Sequence, residues 1–308
     1  MEPISFSFGI VGLIIFIITV VSIAKSSNHG VLGKFVWILV AFFLSILGSI
    51  LWLIFGRGKV RNEPTTWLLY PRALRARYSQ CDRTFSSSRE AMTDATVPIT
   101  RMGALVVPIL RLAIAALVAA AVVATVAEAA ARVTINPFNM FGYFTIQSNI
   151  ILAIVYTVIA VVALRGEAAL PALNVARASA TTYIIIVGLV YATLLAPLGA
   201  AGGVPVAWAN TALHIVTPLY ALADWILFSD RARIGFNRLW IVLIYPLVWV
   251  IVVLVRGATD GWVPYPFLHP DTGYASVFFY VGLIVVVMLA FGSLVFWIAR
   301  KRSVLRIP

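Results

Sequence analysis

The sequence predicts an all-α polytopic membrane protein, a two-helix hairpin followed by a six-helix transmembrane bundle. Three observations lead there. Of 308 residues, 62% are hydrophobic and 11% are charged, against about 45–50% and about 25% in soluble domains. Mean hydropathy is +1.01. Apolar runs of about 20 residues, enough to cross about 30 Å of hydrocarbon, recur eight times. This composition excludes a soluble globular enzyme, a disordered chain and a nucleic-acid-binding domain. Membrane lipids, not nucleic acid, are the expected partners. A single cysteine, Cys81, excludes an internal disulfide, a cysteine-based zinc site and an iron–sulfur cluster. With only three histidines as well, no metal and no organic cofactor is expected.

The predicted spans are Phe6–Ala24, Phe35–Phe55, Val106–Ala130, Phe141–Leu164, Thr181–Pro197, Val206–Phe228, Leu239–Val255 and Ala275–Ala299. The first is no cleavable signal peptide, because Met1–Phe6 carries no Lys or Arg and the apolar stretch is too long. The short spacing between the first two makes a hairpin.

Charge sets the orientation. The net charge is +12. With the N-terminus inside, inner segments hold 18 of the 23 Lys and Arg. They fall in Arg57–Arg101, at Arg165 and Arg177, at Arg231, Arg233 and Arg238, and at the C-terminus. Lys25, Lys34, Arg132 and Arg256 lie outside, and Arg111 lies within a span. Cytoplasmic loops collect positive residues, so a multi-pass protein of the cell membrane is expected, with both termini cytoplasmic.

Four segments follow: a two-helix anchor at 1–60, a basic linker at 61–102, a six-span domain at 103–302 and a tail at 303–308. The linker mixes Trp67, Leu68, Leu69, Tyr70 and Leu74 with Arg72, Arg75 and Arg77. Two readings fit it: a segment lying on anionic headgroups, or a solvated linker. Gly199–Gly203 reads as a flexible turn.

Ionisable groups inside a bilayer are costly, which singles out Arg111, Glu128, His214 and Asp224 in the six-span domain. Arg111 and Asp224 sit at matching depths near the inner side. They are expected to pair, either as a structural ion pair or as part of a transport path. Glu128 is near the outer boundary, where it can face water. His214 lies about 12 Å below the outer edge at about 1.5 Å per residue. Asn210 and Thr211 share its helical face. Pro218 cannot donate to the His214 carbonyl, so the helix is expected to loosen there.

In the fourth span, Thr145, Ser148 and Asn149 share one face, with Thr145 at a depth close to that of His214. A threonine becomes a nucleophile when a neighbouring base takes its proton, and histidine is the usual base. Spacing alone leaves two readings open, a Thr145/His214 active site or structural hydrogen bonding between helices. In the first, Ser148, Asn149 and Asn210 are candidate oxyanion donors. Asp224 is ten residues below His214, so a dyad is expected rather than a triad. The outer loop carrying Trp262, Tyr265 and Phe267 reads as a lid over the site or as an interfacial anchor. His269 is a spare outer base, expected in solvent.

Two resemblances add to this reading. Gly33-Lys34-Phe35-Val36-Trp37, then Gly48, Trp52 and Phe55-Gly56-Arg57, resemble the N-terminal two-helix region of cardiolipin synthases and related phospholipase-D-type enzymes. None of His29, His214 and His269 is followed two residues later by Lys. The His-x-Lys-x4-Asp motif of those enzymes is therefore absent, and the hairpin reads as an anchor.

Residues 105–300 resemble the androgen-induced membrane protein family. The shared marks are Phe144-Thr145 with Asn149, Asn210-x3-His214 with Pro218, and the string Gly261-Trp262-Val263-Pro264-Tyr265-Pro266-Phe267-Leu268. Thr211 and Pro264 depart from the animal members. That resemblance implies a multi-span hydrolase of fatty acid esters of hydroxy fatty acids or similar lipid esters. It assigns Thr145 as nucleophile and His214 as base. The competing class is non-enzymatic: a small transporter, or an accessory or scaffold protein of lipid synthesis.

Overall fold

A computed structural model describes residues 101–301 apart from 168 and 229, and before them residues 15, 17–26, 34, 37, 41 and 52. The regular elements in this region are helices. They are α1 (Arg101–Arg132), α2 (Pro137–Met140), α3 (Phe144–Leu164), α4 (Pro171–Val190), α5 (Ala207–Thr211), α6 (Thr217–Leu227), α7 (Ile241–Thr259) and α8 (Tyr274–Ile298). Among the described residues, five helical stretches are long and apolar enough to cross a membrane: Leu105–Arg132, Phe144–Leu164, Pro171–Gly199, Phe236–Thr259 and Tyr274–Ile298. The chain is an all-α polytopic membrane protein.

Most of the first two predicted spans, residues 61–100 of the linker and the tail at 303–308 lie outside the described residues. Those that are described touch one another. The Trp52 indole N–H donates to Ser22 Oγ at 3.1 Å, and its ring stands edge-on to Trp37 at 5.3 Å. Lys34 Nζ donates to the Ala24 carbonyl at 2.8 Å. Ile23, Ala41 and Trp52 are fully buried.

Two predicted spans take a different form. The fifth was expected from Thr181, but α4 starts at Pro171, where a proline suits the first turn because its missing N–H is unpaired there anyway. Its polar first half (Asn174, Arg177, Ser179, Thr181, Thr182) hid the helix from a hydropathy reading, yet all five side chains are buried. Arg177 is therefore not an inner-loop cation. It faces the bundle core at 1% exposure.

The sixth span is helical from 207 to 227 but is not one uniform apolar helix. Asn210, His214 and Asp224 interrupt its apolar run. A π turn, Ala212–Val216, separates α5 from α6.

Consecutive helices alternate in direction, so the loops collect at two ends. One end holds the start of α1, the α3–α4 turn, the α6–α7 connection and the end of α8. The other holds α2, the Ala196–Gly202 3-10 turn and the loop from Asp260 to Gly273. The core between them is packed by Leu152, Tyr156, Ile184, Trp225, Met288 and Phe296, all nearly fully buried. The Trp225 indole donates to the Val295 carbonyl at 2.8 Å. On α1, Ala115, Val118, Ala121 and Val122 are buried. Small side chains let membrane helices approach closely where no hydrophobic force joins them. Val123, Leu219, Ile251, Phe278, Phe279 and Val286 are more than half exposed, as expected of a surface that meets lipid rather than water.

The end that holds the start of α1 is tied by a four-membered charge cluster. Arg111 Nε donates to Asp224 Oδ1 at 2.8 Å. Arg177 Nη2 donates to Asp224 Oδ2 at 2.6 Å. Asp230 closes the ring, accepting from Arg177 Nη1 at 2.9 Å, from Arg111 Nη2 at 3.0 Å and from Arg111 Nη1. Two cations meet two anions, so the cluster is neutral. It joins α1, α4, α6 and the loop that follows α6.

Candidate functional site

The opposite end carries the candidate site. Thr145 is the second residue of α3, and its backbone N–H has no carbonyl one turn earlier to bond. The Tyr265 hydroxyl takes that role, accepting from Thr145 N at 3.2 Å. The same hydroxyl lies 3.4 Å from Thr145 Oγ1. Because it already accepts the N–H, its own proton is free to point at Oγ1. Burial pushes the Tyr265 phenol up to about 12, against the smaller opposing pull of its bonds to Thr145. It is a neutral donor at any physiological pH.

Tyr265 is fixed from several sides. Phe267 stacks on its ring at 5.4 Å, and Tyr143 stands edge-on at 5.9 Å. Trp262 packs against Tyr143 at 6.0 Å and under the Arg256 guanidinium at 4.2 Å. Arg256 also bonds Asp260 Oδ2 at 2.8 Å and Asn139 Oδ1 at 2.6 Å, so α7, α2 and the loop that follows α7 are clamped together. At Gly142 a Cβ would come within 2.4 Å of the Trp262 ring. Only glycine lets the Trp262 ring lie this close to the chain ahead of α3. A Gly142→Leu substitution is expected to displace Trp262 and shift the emission maximum of tryptophan fluorescence.

His214 lies in the π turn, and the physical cause is local. Pro218 offers no N–H, and Thr217 Oγ1 bonds the Ala212 carbonyl instead. Such bulges commonly sit at functional sites. The His214 ring stacks on Tyr191 at 4.2 Å, and Tyr191 begins a second π turn, Tyr191–Leu195. His214 Nδ1 is 3.1 Å from the Asn210 carbonyl. A carbonyl only accepts, so Nδ1 carries the proton and Nε2 keeps its lone pair.

Thr145 and His214 are not hydrogen-bonded to each other. Both line one cavity of about 310 Å³, together with Thr125, Tyr143, Tyr265 and the stretch from Gly202 to Pro205. Gly199–Gly203 is therefore more than a flexible turn. Its residues up to Gly202 belong to a 3-10 turn, Gly202 and Gly203 wall the cavity, and a Cβ on Gly203 would meet Asn210 Oδ1 at 2.6 Å. A second, apolar crevice lies on the other side of Thr145, between α4, α7 and α8, and shares Thr145, Tyr265 and Leu195 with the first.

Two of the three expected oxyanion donors are engaged elsewhere. Asn149 Nδ2 donates to the carbonyls of Thr145 at 2.9 Å and Leu213 at 3.2 Å, which ties α3 to the π turn. Asn210 donates to the Tyr191 hydroxyl at 2.6 Å and accepts from Val204 N at 3.1 Å. Ser148 is fully buried and lines neither cavity. Tyr265 is the hydroxyl that stands next to Thr145. Of the lid residues, Tyr265 borders both spaces and Phe267 only the crevice, while Trp262 borders neither. His269 is close to Asp271 and away from the site. Glu128 pairs with Arg132 one turn on. Among the described residues, no group of three His, Cys, Asp or Glu side chains is gathered to hold a metal ion.

Sequence reasoning missed Arg177, Tyr191 and Asp230. Asn174, Arg177 and Thr181 recur at helical spacing, a signal of one polar helix face. Tyr191 left no local sign.

Residues 8–57 match the family model described as the phospholipase D-nuclease N-terminal region. No curated protein and no solved structure matches the chain.

Proposed function

We propose that this membrane protein hydrolyses lipid esters, with Thr145 as nucleophile and His214 as general base. The observation that carries the reading is the shared cavity: two side chains of complementary chemistry, from different helices, face one space at one end of the bundle. The resemblance of residues 105–300 to the androgen-induced family supports the same roles and fatty acid esters of hydroxy fatty acids, or similar lipids, as substrates. The orientation rests on charge. Arg165, Arg231, Arg233, Arg238, Arg300 and Lys301 gather at the inner end, whereas Arg132 and Arg256 at the site's end are both paired with carboxylates. The site then opens to the outer leaflet of the cell membrane, and both termini are cytoplasmic. The basic linker would rest on anionic headgroups.

The reaction divides into two halves. Thr145 Oγ1 forms a bond to the ester carbonyl carbon while its proton passes to His214 Nε2, the nitrogen left with a lone pair. The tetrahedral intermediate collapses, the ester C–O bond breaks, and the alcohol leaves with that proton. Water then attacks the acyl-threonine by the same base, releasing the acid and restoring the threonine hydroxyl. Tyr265 positions Thr145 by holding its backbone N–H and lying beside Oγ1.

A second reading has one observation in its favour. Thr145 and His214 bond to other groups rather than to each other, as they would in a non-catalytic transporter or scaffold.

The test is labelling of the detergent-purified full chain with a fluorophosphonate probe. We expect labelling of the native protein, lost in Thr145→Ala and in His214→Ala. Equal labelling of all three proteins, or none of any, overturns the proposal. Tyr265→Phe is expected to slow labelling by about tenfold, the worth of one ordinary hydrogen bond. That loss should fall on kcat, with KM for an ester substrate unchanged.

A further inference from the structure

The apolar crevice beside Thr145 has no role in the chemistry above. Val187 and Val190 of α4, Val250 of α7, and Ile284 and Met288 of α8 form its walls. Among the described residues no charged side chain lines it, and Thr145 and Tyr265 supply its hydroxyls. It encloses about 70 Å³. Leu247 also lines it and is 40% exposed, so the space reaches the bundle surface between α7 and α8. In a membrane that surface meets lipid tails.

We propose that this crevice is the binding site for the hydrocarbon chain of an acyl lipid. The chain enters sideways from the bilayer between α7 and α8 and ends with its carboxyl carbon at Thr145. The other half of the ester then lies in the larger chamber with His214. Placing the carboxyl end at Thr145 rests on the hydrolase reading, but the binding of a chain does not. Hydrocarbon in the bilayer is already out of water, so the crevice gains nothing from the hydrophobic effect. It selects by shape, and a bulky side chain placed in it excludes the chain.

The experiment uses the full chain in phosphatidylcholine nanodiscs and a palmitic acid carrying a mid-chain diazirine. After irradiation, adducts are mapped by peptide mass spectrometry. We expect them on the peptides of α7 and α8 that carry Val250 and Ile284. They should fall to background in Val250→Trp and Ile284→Trp. Both variants should still unfold in one cooperative transition in detergent, which reports that they fold. Adducts spread over the lipid-facing sides of all helices, α1 included, and unchanged by the tryptophans overturn the crevice even if Thr145 labels normally. Adducts confined to α7 and α8 with no fluorophosphonate labelling of the native chain uphold the crevice and overturn the hydrolase.

Discussion

Asp224→Ala is expected to lower the stability of the bundle by about 3–5 kcal/mol, the usual result of removing one partner from a buried ion pair. The reason is local. Asp224 is 1% exposed and accepts from both Arg111 and Arg177, themselves 0% and 1% exposed. Without it, two guanidiniums share one remaining carboxylate, and a net positive charge stays in a core that offers it no water. Asp230→Ala should cost less, because its side chain is 27% exposed and water can replace it. Burial alone would raise the Asp230 carboxyl. The Arg177 and Arg111 guanidiniums outweigh that and hold it well below the usual carboxylate range. Its contribution is therefore complete above the unfolded value of about 3.9 and is lost progressively as pH falls from there through the depressed folded value. The measurement is the thermal unfolding midpoint in detergent, native against each variant at neutral pH. A midpoint for Asp224→Ala equal to that of Asp230→Ala would contradict this ordering.

That cluster also shows what a sequence can and cannot disclose. Helices in a bilayer must satisfy their own backbone groups, so long apolar runs announce themselves, and α1, α3, α7 and α8 begin and end close to their predicted limits. The equal depth of Arg111 and Asp224 can be read as a pairing. Arg177 could not be read that way, because a polar half-helix looks like a loop when hydropathy is the only guide. The site divides along the same line. Pro218 states in the sequence that the helix loosens at His214, because a missing N–H is a local fact. Which hydroxyl stands beside Thr145 is not local. Tyr265 is 120 residues away and reaches it only through the fold of the loop between α7 and α8, which Gly142, Trp262 and Arg256 fix by close packing. Likewise Asn149 and Asn210 have suitable chemistry for an oxyanion, but tertiary contacts had already occupied their donors.

The largest functional effect is expected at the two residues that share the cavity, Thr145 and His214. Thr145→Ala and His214→Ala should each lower ester turnover by about 10⁴-fold or more, and the double variant should be little worse than either, since residues acting as one unit are not additive. Independent structural roles give the opposite pattern, two modest losses that multiply. Shape and chemistry can be separated further at Thr145. Thr145→Val keeps the branched shape and removes the hydroxyl. Thr145→Ser keeps the hydroxyl and removes a methyl group. A nucleophile survives as serine and is lost as valine. A packing residue at a position only 7% exposed tolerates valine at least as well as serine. Steady-state hydrolysis by the four proteins, paired with their unfolding midpoints, therefore orders serine and valine oppositely under the two readings. Serine more active than valine, at equal or lower stability, is the order that a nucleophile held by Tyr265 requires.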